Sequence, residues 1–180
     1  MFKPCMRGIC AVVLIVGVSG CISHQVLPLQ ESIETPLLER KPKTAVTVAI
    51  IPVHNPTAQQ WTVCSLGAHT YYARPDDLTD AAETILGMIL KRNGMQVDPN
   101  SSKTLRIAVV DAGCEMPKFV GPYKYYVKLE VQVGDKEKRQ FVGTQHHAHV
   151  FGTGWAIARA TSHAIVLLLQ DEEIIQYLEK

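Results

Sequence analysis

Residues 124–133 read KYYVKLEVQV, and apolar and polar residues alternate through this stretch without a break. Side chains on a β-strand point to opposite faces in turn, so this alternation predicts a strand with one buried face and one wet face. The polar face would look outward, where it is free to meet water or a partner. The buried face would carry Tyr125, Val127, Leu129, Val131 and Val133.

The flanking sequence predicts further strands on both sides. Residues 134–137 (GDKE) are typical of a hairpin turn, and they lead into a strand from about Lys138 to Val150. Upstream, Leu105–Ala112 predicts another strand. A first strand begins at Ala45 and stops at Pro52, because proline has no N–H to donate to a sheet.

Other segments of the chain have apolar residues at helical spacing, which predicts helices between and after these strands. Asp77 is expected to cap a helix that ends at the stop signal Asn93-Gly94. A second, longer helix should follow Gly152 and Gly154, and Asp171 should start a last helical stretch.

The predicted order is strand, helix, three strands, helix. A strand-helix-strand connection makes its two strands parallel, whereas the hairpins that follow are antiparallel. We therefore expect an α+β fold over residues 45–180, a two-layer sandwich in which both helices cover one face of a small mixed sheet.

Charge narrows the range of partners. With 18 Lys and Arg against 17 Asp and Glu, the chain has a formal net charge of +1. No large positive field exists to hold a nucleic acid backbone, so nucleic acid is not an expected partner.

The N-terminus has the layout of an export signal. Lys3 and Arg7 precede an uncharged run, Ile9–Val18, which small residues separate from Cys21. A run of about ten residues is shorter than the roughly 20 that a permanent transmembrane helix needs. Residues 1–20 are therefore predicted to be a signal peptide.

The sequence Val18-Ser19-Gly20-Cys21 resembles the lipobox of bacterial lipoproteins. The resemblance implies that the Cys21 thiol receives diacylglycerol and becomes the first residue of the mature chain. Ile22 departs from the aspartate that retains lipoproteins in the inner membrane, so the implied location is the outer membrane, on its periplasmic side. Residues 21–44 contain three prolines and are predicted to form a flexible linker with a span of about 25 Å.

From about Leu78 onward, the body resembles the YajG-like family of outer-membrane lipoproteins. The likeness rests on the helix Leu78–Asn93, the strands Leu105–Val110 and Tyr125–Val133, the glycine-containing hairpin and the closing segment Leu168–Asp171 with Ile174, Ile175 and Leu178. A looser likeness extends to small lipoproteins that assist transporters and synthases of the cell envelope. The resemblance implies no enzymatic activity and no binding residues.

Cys64 and Cys114 are the two cysteines of the predicted domain, residues 45–180. Because the periplasm is oxidising, the two are predicted to form a disulfide, which would close about 50 residues and contribute about 4 kcal/mol in the chain-entropy model. Two buried free thiols are the alternative.

The segment His54–Pro75 is long for a loop in a compact domain. It carries Trp61, Tyr71, Tyr72 and Arg74, which are residue types that dominate protein interfaces. These side chains either bind a partner or pack beneath the loop, and residues 61–64 could themselves form an extra strand.

His146, His147 and His149 form the one cluster with ligand-like composition. On a strand, His147 and His149 would share a face and could hold one metal ion together, with His146 on the opposite face. Two ligands do not complete a site, and a solvated strand face is the alternative. No Gly-x-Ser-x-Gly elbow or paired acids are present, so we expect neither an enzyme nor a cofactor.

The sequence thus predicts a non-enzymatic, lipid-anchored periplasmic module that docks on an envelope protein through the open sheet face or the aromatic segment. The second hypothesis is a small-ligand or metal-binding lipoprotein that uses residues 146–149. Oligomeric state is left open.

Overall fold

The structure is a computed structural model that describes residues 37–38, 46–66, 69–117, 121–148 and 152–180, without the side chains of Leu66 and His69. The predicted signal peptide, Cys21, His149 and most of the predicted linker lie outside the described residues. The described chain forms β1 (Thr47–Pro52), β2 (Trp61–Leu66), β3 (His69–Ala73), α1 (Pro75–Arg92), β4 (Gln96–Val97), β5 (Thr104–Glu115), β6 (Tyr123–Val133), β7 (Lys138–His147), α2 (Thr153–Gln170) and α3 (Glu172–Glu179).

Five strands form one mixed sheet in the order β4-β1-β5-β6-β7. β1 is parallel to both β4 and β5, whereas β5, β6 and β7 are antiparallel to one another. These pairings confirm the predicted α+β fold, with its parallel strand-helix-strand unit and its antiparallel hairpins. The two-residue strand β4 was not predicted, and β2 pairs with β3 in a separate antiparallel hairpin.

The hydrophobic core lies on one face of the sheet. On β6, Tyr125, Val127, Leu129 and Val131 have no exposed surface, and the residues between them are partly exposed. Both long helices bring apolar stripes to the same core: Leu78, Ala82, Ile85 and Ile89 from α1, and Ile157, Ala160, Ala164 and Leu168 from α2. The helices therefore cover one face of the sheet, as predicted, and we call the opposite face the outer face.

Helix α1 starts two residues before the predicted cap. It begins at Pro75 with Arg74 in the N-cap position, so the prediction that Asp77 caps the helix is wrong. Proline is suited to the first turn because its missing N–H would have no partner there in any case. Asp77 lies inside that first turn, where the positive end of the helix dipole stabilises a carboxylate. At the other end, Gly94 adopts the left-handed φ of 83° that the stop signal predicts.

Strand β5 extends three residues beyond its predicted end, to Glu115, and it contains a bulge. The register with β6 shifts between Val109 and Asp111, so Val110 is an extra residue. Pairing then continues to Glu115. The bulge places Val109 and Val110 next to each other and breaks the alternation of apolar and polar residues.

Strand β7 and helix α2 approach each other closely at Gly143. A Cβ atom on Gly143 would overlap the carbonyl oxygen of Ala160 and the backbone nitrogen of Ala164. On the next residue of β7, the Thr144 backbone nitrogen and oxygen lie 3.1 and 3.2 Å from Nδ1 of His163. The helix thus packs directly on the strand backbone. The His163 ring lies within hydrogen-bonding distance of the Thr144 backbone at the edge of the sheet.

Leu38, within the predicted linker, contacts the folded domain. Its side chain is 5% exposed, and its backbone N–H donates a 3.0 Å hydrogen bond to Oδ1 of Asn93 at the end of α1. At least this part of the segment before residue 45 packs on the domain.

We predict that Gly143→Ala lowers the free energy of unfolding by about 3 kcal/mol, because α2 must move away from β7 to admit the methyl group. Gly87→Ala is the matched control. The Cβ of that variant meets only Cδ1 of Ile50, at 3.8 Å, and alanine favours the helix by about 1 kcal/mol. Urea denaturation measures both changes, and equal effects of the two variants would contradict the packing described at Gly143.

Candidate functional site: the outer face and the β2–β5 groove

The outer face carries polar and charged side chains across three strands. On β6 it is formed by alternate residues from Lys124 to Gln132, which are all partly exposed. Their neighbours in the register are Gly113 and Glu115 on β5, and Val142 and His146 on β7. This face is the wet side that the alternation in residues 124–133 predicts.

Two ion pairs cross neighbouring strands on this face. Lys138 lies 2.8 Å from Glu130, and Lys124 lies 3.2 Å from Glu115. Exposed pairs of this kind stabilise a fold by less than about 1 kcal/mol. Their main effect here is to set the pattern of positive and negative charge on the outer face. Exposed aliphatic side chains flank the charges, with Ile51 on β1 and Val142 on β7.

Tyr126 lies across the backbone of β5 on the outer face. A Cβ atom added to Gly113, its register partner, would come within 2.7 Å of the Tyr126 hydroxyl, so only glycine leaves room for the ring. Burial raises the pKa of the Tyr126 hydroxyl above 10.0, and the carboxylates of Asp111 and Glu115 raise it further. The hydroxyl therefore lies in a negative electrostatic potential.

A groove opens beside β5 where β1 ends. β1 pairs with β5 only as far as Pro52, opposite Ile107, and β2 lies next to the later part of β5. Between β2 and this part of β5 is a cavity of about 520 Å³, which we call the β2–β5 groove. It is lined by residues 60–63, residues 110–114 and Tyr126.

A disulfide ties the two sides of this groove together. Cys64 on β2 and Cys114 on β5 are bonded, with their Cα atoms 5.2 Å apart. This confirms the predicted pairing and rules out the alternative of two free thiols. The bond joins residues that are 50 positions apart in the sequence, and it holds the β2–β3 hairpin against the main sheet.

The four interface-type residues of the segment 54–75 have different surroundings. Tyr71 is 4% exposed and belongs to the core, so this ring packs inside the domain and is not part of an exposed binding surface. Trp61 starts β2 and is half-buried, with part of its surface lining the groove. Tyr72 is half-buried on β3, and the Arg74 side chain is largely exposed. Partner binding by Trp61, Tyr72 and Arg74 stays a prediction.

The histidines of β7 point to different layers. His146 is opposite Lys124 on the outer face, whereas His147 contacts the first turn of α2, with its ring centroid 5.1 Å from that of Trp155. β7 ends at His147 rather than at Val150, and His149 lies outside the described residues. In the described ranges, no three His, Cys, Asp or Glu residues are grouped to hold a metal ion. The metal-site hypothesis stays a prediction.

The sequence matches no family model and no curated protein. Its fold is similar to that in the crystal structure of protein XCC0632 from Xanthomonas campestris, of the DUF330 family. The TM-score is 0.55 and the sequence identity is 11%, over 77% of this chain and 90% of the Xanthomonas protein. At that identity the comparison shows a common fold, and each protein's function must be argued from its own surface.

Sequence reasoning missed Asp111 and the groove that it lines. The alternation in β6 predicts that Tyr126 faces outward, but Asp111 follows the bulge at Val110, where the alternation fails. The groove also depends on where the β2–β3 hairpin packs, which is a contact between segments about 50 residues apart.

We predict that removing the disulfide with Cys64→Ser and Cys114→Ser lowers the free energy of unfolding by about 4 kcal/mol, because the unfolded chain regains the entropy of a 50-residue loop. Urea denaturation measures the loss. Reduction of the unsubstituted chain should lower the free energy of unfolding by a similar amount. A urea midpoint that reduction leaves unchanged would contradict the role of the bond.

The pKa of Tyr126 gives a test of the electrostatics. Asp111→Asn removes a negative charge that disfavours the phenolate, so the pKa should fall, yet stay above 10.0 because burial persists. A pH titration followed by the NMR shift of the Tyr126 Cζ atom measures it. Asp135→Asn, in the turn between β6 and β7, should leave the value unchanged, and an equal fall in both variants would refute the assignment.

Proposed function

We propose that this protein is a lipid-anchored module of the bacterial cell envelope that docks on a partner protein and has no enzymatic activity of its own. Cys21 would carry the lipid, and the outer membrane would hold the domain on its periplasmic side. The outer face of the sheet, together with the β2–β5 groove, is the proposed docking surface.

The observation that carries the proposal is the contrast between the two faces of the sheet. One face is covered by α1 and α2, and the β6 residues Tyr125, Val127, Leu129 and Val131 have no exposed surface there. The other displays ion pairs, a tyrosine and exposed aliphatic residues on the mixed sheet. The hydrogen bonds between the strands hold the backbone of this surface in place, so the backbone need not be reordered when a partner binds.

The composition of the outer face suits a protein partner. Protein interfaces combine apolar area with a polar rim and about one hydrogen bond for each 100–200 Å² of area. Here Ile51 and Val142 supply apolar surface on either side of a band of charges of both signs. Mixed charge favours a complementary protein surface over a uniformly charged polymer.

The strand directions support tethering and docking at opposite ends of the domain. The chain enters β1 next to the start of β5 at Thr104, whereas the groove is lined by residues 110–114 near the end of β5. At about 3.3 Å per residue, the groove lies about 25 Å farther along the sheet. A partner could therefore reach the groove without crowding the tether.

The disulfide and the fold are consistent with this location. Disulfides persist in oxidising compartments such as the periplasm, so the Cys64–Cys114 bond supports an exported protein. Membership of the YajG-like family stays part of the proposal, because the structural comparison extends to the fold alone. None of the described helices could span a bilayer, and the proposed attachment is through lipid.

Site-specific photo-crosslinking in cells tests the docking surface. A photoreactive amino acid at Ile51 or at Val142 should give an adduct with the same envelope protein after irradiation. Leu167, on the exposed side of α2, is the matched control because it is 37% exposed, as is Ile51. Adducts that form equally well from Leu167, or that are absent from both outer-face positions, would refute the proposal.

A second arm of this experiment tests the anchor. Cys21→Ser removes the thiol that would receive the lipid, so the chain should leave the membrane fraction and the adduct at Val142 should weaken. A Cys10→Ser variant is the control, because Cys10 lies within the predicted signal peptide. Unchanged membrane association of Cys21→Ser would disprove the lipid anchor while leaving the docking surface to be judged by its own crosslinks.

A further inference from the structure

The β2–β5 groove combines aromatic, amide, hydroxyl and carboxylate groups in one cavity. Trp61 contributes from β2 and Tyr126 from β6, and Gln60 and Thr62 lie on the β2 side. Asp111 lines the opposite side. A volume of about 520 Å³ lies within the range of about 300–1,000 Å³ that is typical of ligand pockets, so the cavity can admit a side chain with part of its backbone.

Asp111 differs from the other carboxylates on the outer face. Glu115 and Glu130 each have a lysine partner within 3.2 Å. Among the described residues, no basic side chain forms an ion pair with Asp111, although Lys128 is its register partner on β6. The Asp111 carboxylate is therefore available to a positive group that enters the groove.

The electrostatic potential at this end of the groove favours a cation. Burial is the main cause of the raised pKa of the Tyr126 hydroxyl, and the carboxylates of Asp111 and Glu115 raise it further because they disfavour a negative charge there. An incoming positive group would be stabilised for the same reason. Trp61 and Tyr126 also line the groove, and the face of an aromatic ring attracts cations.

We propose that the β2–β5 groove binds the guanidinium group of an arginine side chain presented by the docking partner, with Asp111 as the carboxylate that pairs with it. The proposal rests on the proposed docking function and names the partner chemistry of one part of that surface. Arginine is favoured over lysine because its planar group can donate two parallel hydrogen bonds to a carboxylate and stack on an aromatic ring. Arginine is also enriched among the residues that dominate binding energy at interfaces.

NMR of the full chain in detergent micelles tests the site with a small probe. N-acetyl-arginine amide should shift the backbone amide signals of residues 60–63 and 110–114, and the shifts should saturate. N-acetyl-citrulline amide has nearly the same shape and keeps N–H donors, but it has no positive charge. It should bind about tenfold more weakly, because a hydrogen bond between two charged groups is stronger than one from a neutral donor. N-acetyl-lysine amide should fall between the two.

Variants assign the effect to Asp111. Asp111→Asn should weaken binding of the arginine probe by about tenfold, and the control Asp135→Asn should leave it unchanged. Equal binding of the arginine and citrulline probes, or shifts outside the groove, would overturn the proposal, and this comparison needs no variant to fold. An unchanged affinity in a folded Asp111→Asn protein would overturn it as well.

The outcome separates this inference from the docking function. If the outer face gives crosslinks at Ile51 and Val142 but the arginine probe does not bind in the groove, the docking surface is supported and the guanidinium site is refuted. If the probe binds in the groove but no crosslinks form, the site stands and the docking function fails.

Discussion

The structure depends on the contact between the backbones of α2 and β7 at Gly143. Because glycine has no side chain, the helix can approach the strand closely enough for Ala160 and Ala164 to pack on its backbone. That approach brings His163 to the backbone of Thr144 at the sheet edge, where an unpaired strand would otherwise be open to other chains. The long helices then fill one face of the sheet, and the polar residues of β6 on the outer face stay partly exposed.

The groove arises from two local features of the chain. The bulge at Val110 changes the course of β5 just after β1 has ended, and the Cys64–Cys114 bond fixes the β2–β3 hairpin next to that part of the strand. Both are local additions to the main sheet, and Cys64 also contributes to the core. Recognition sites are commonly built on such additions to a stable scaffold.

In the proposed function, anchoring and recognition make different demands on one small domain. A tethered protein needs its binding surface away from the membrane, and the parallel pairing of β1 with β5 supplies this separation, because the chain enters at one end of the sheet and the groove lies toward the other. The contact of Leu38 with Asn93 adds a fixed point near the entry. In the proposed function, the lipid raises the local concentration of the domain at the membrane, so a docking site of modest affinity is sufficient.

The sequence by itself determined the α+β class, the one-sided core and the cysteine pair, because alternation, helical spacing and cysteine count are local or compositional signals. The alternation around Leu129 is preserved in the sheet because each inward side chain gains by burial. Only the tertiary structure decided that Tyr71 belongs to the core, that His147 packs on Trp155, and that Asp111 lines a cavity with Trp61. These outcomes depend on contacts between distant segments and on a bulge that breaks the alternating pattern, and no local pattern records which segments will meet.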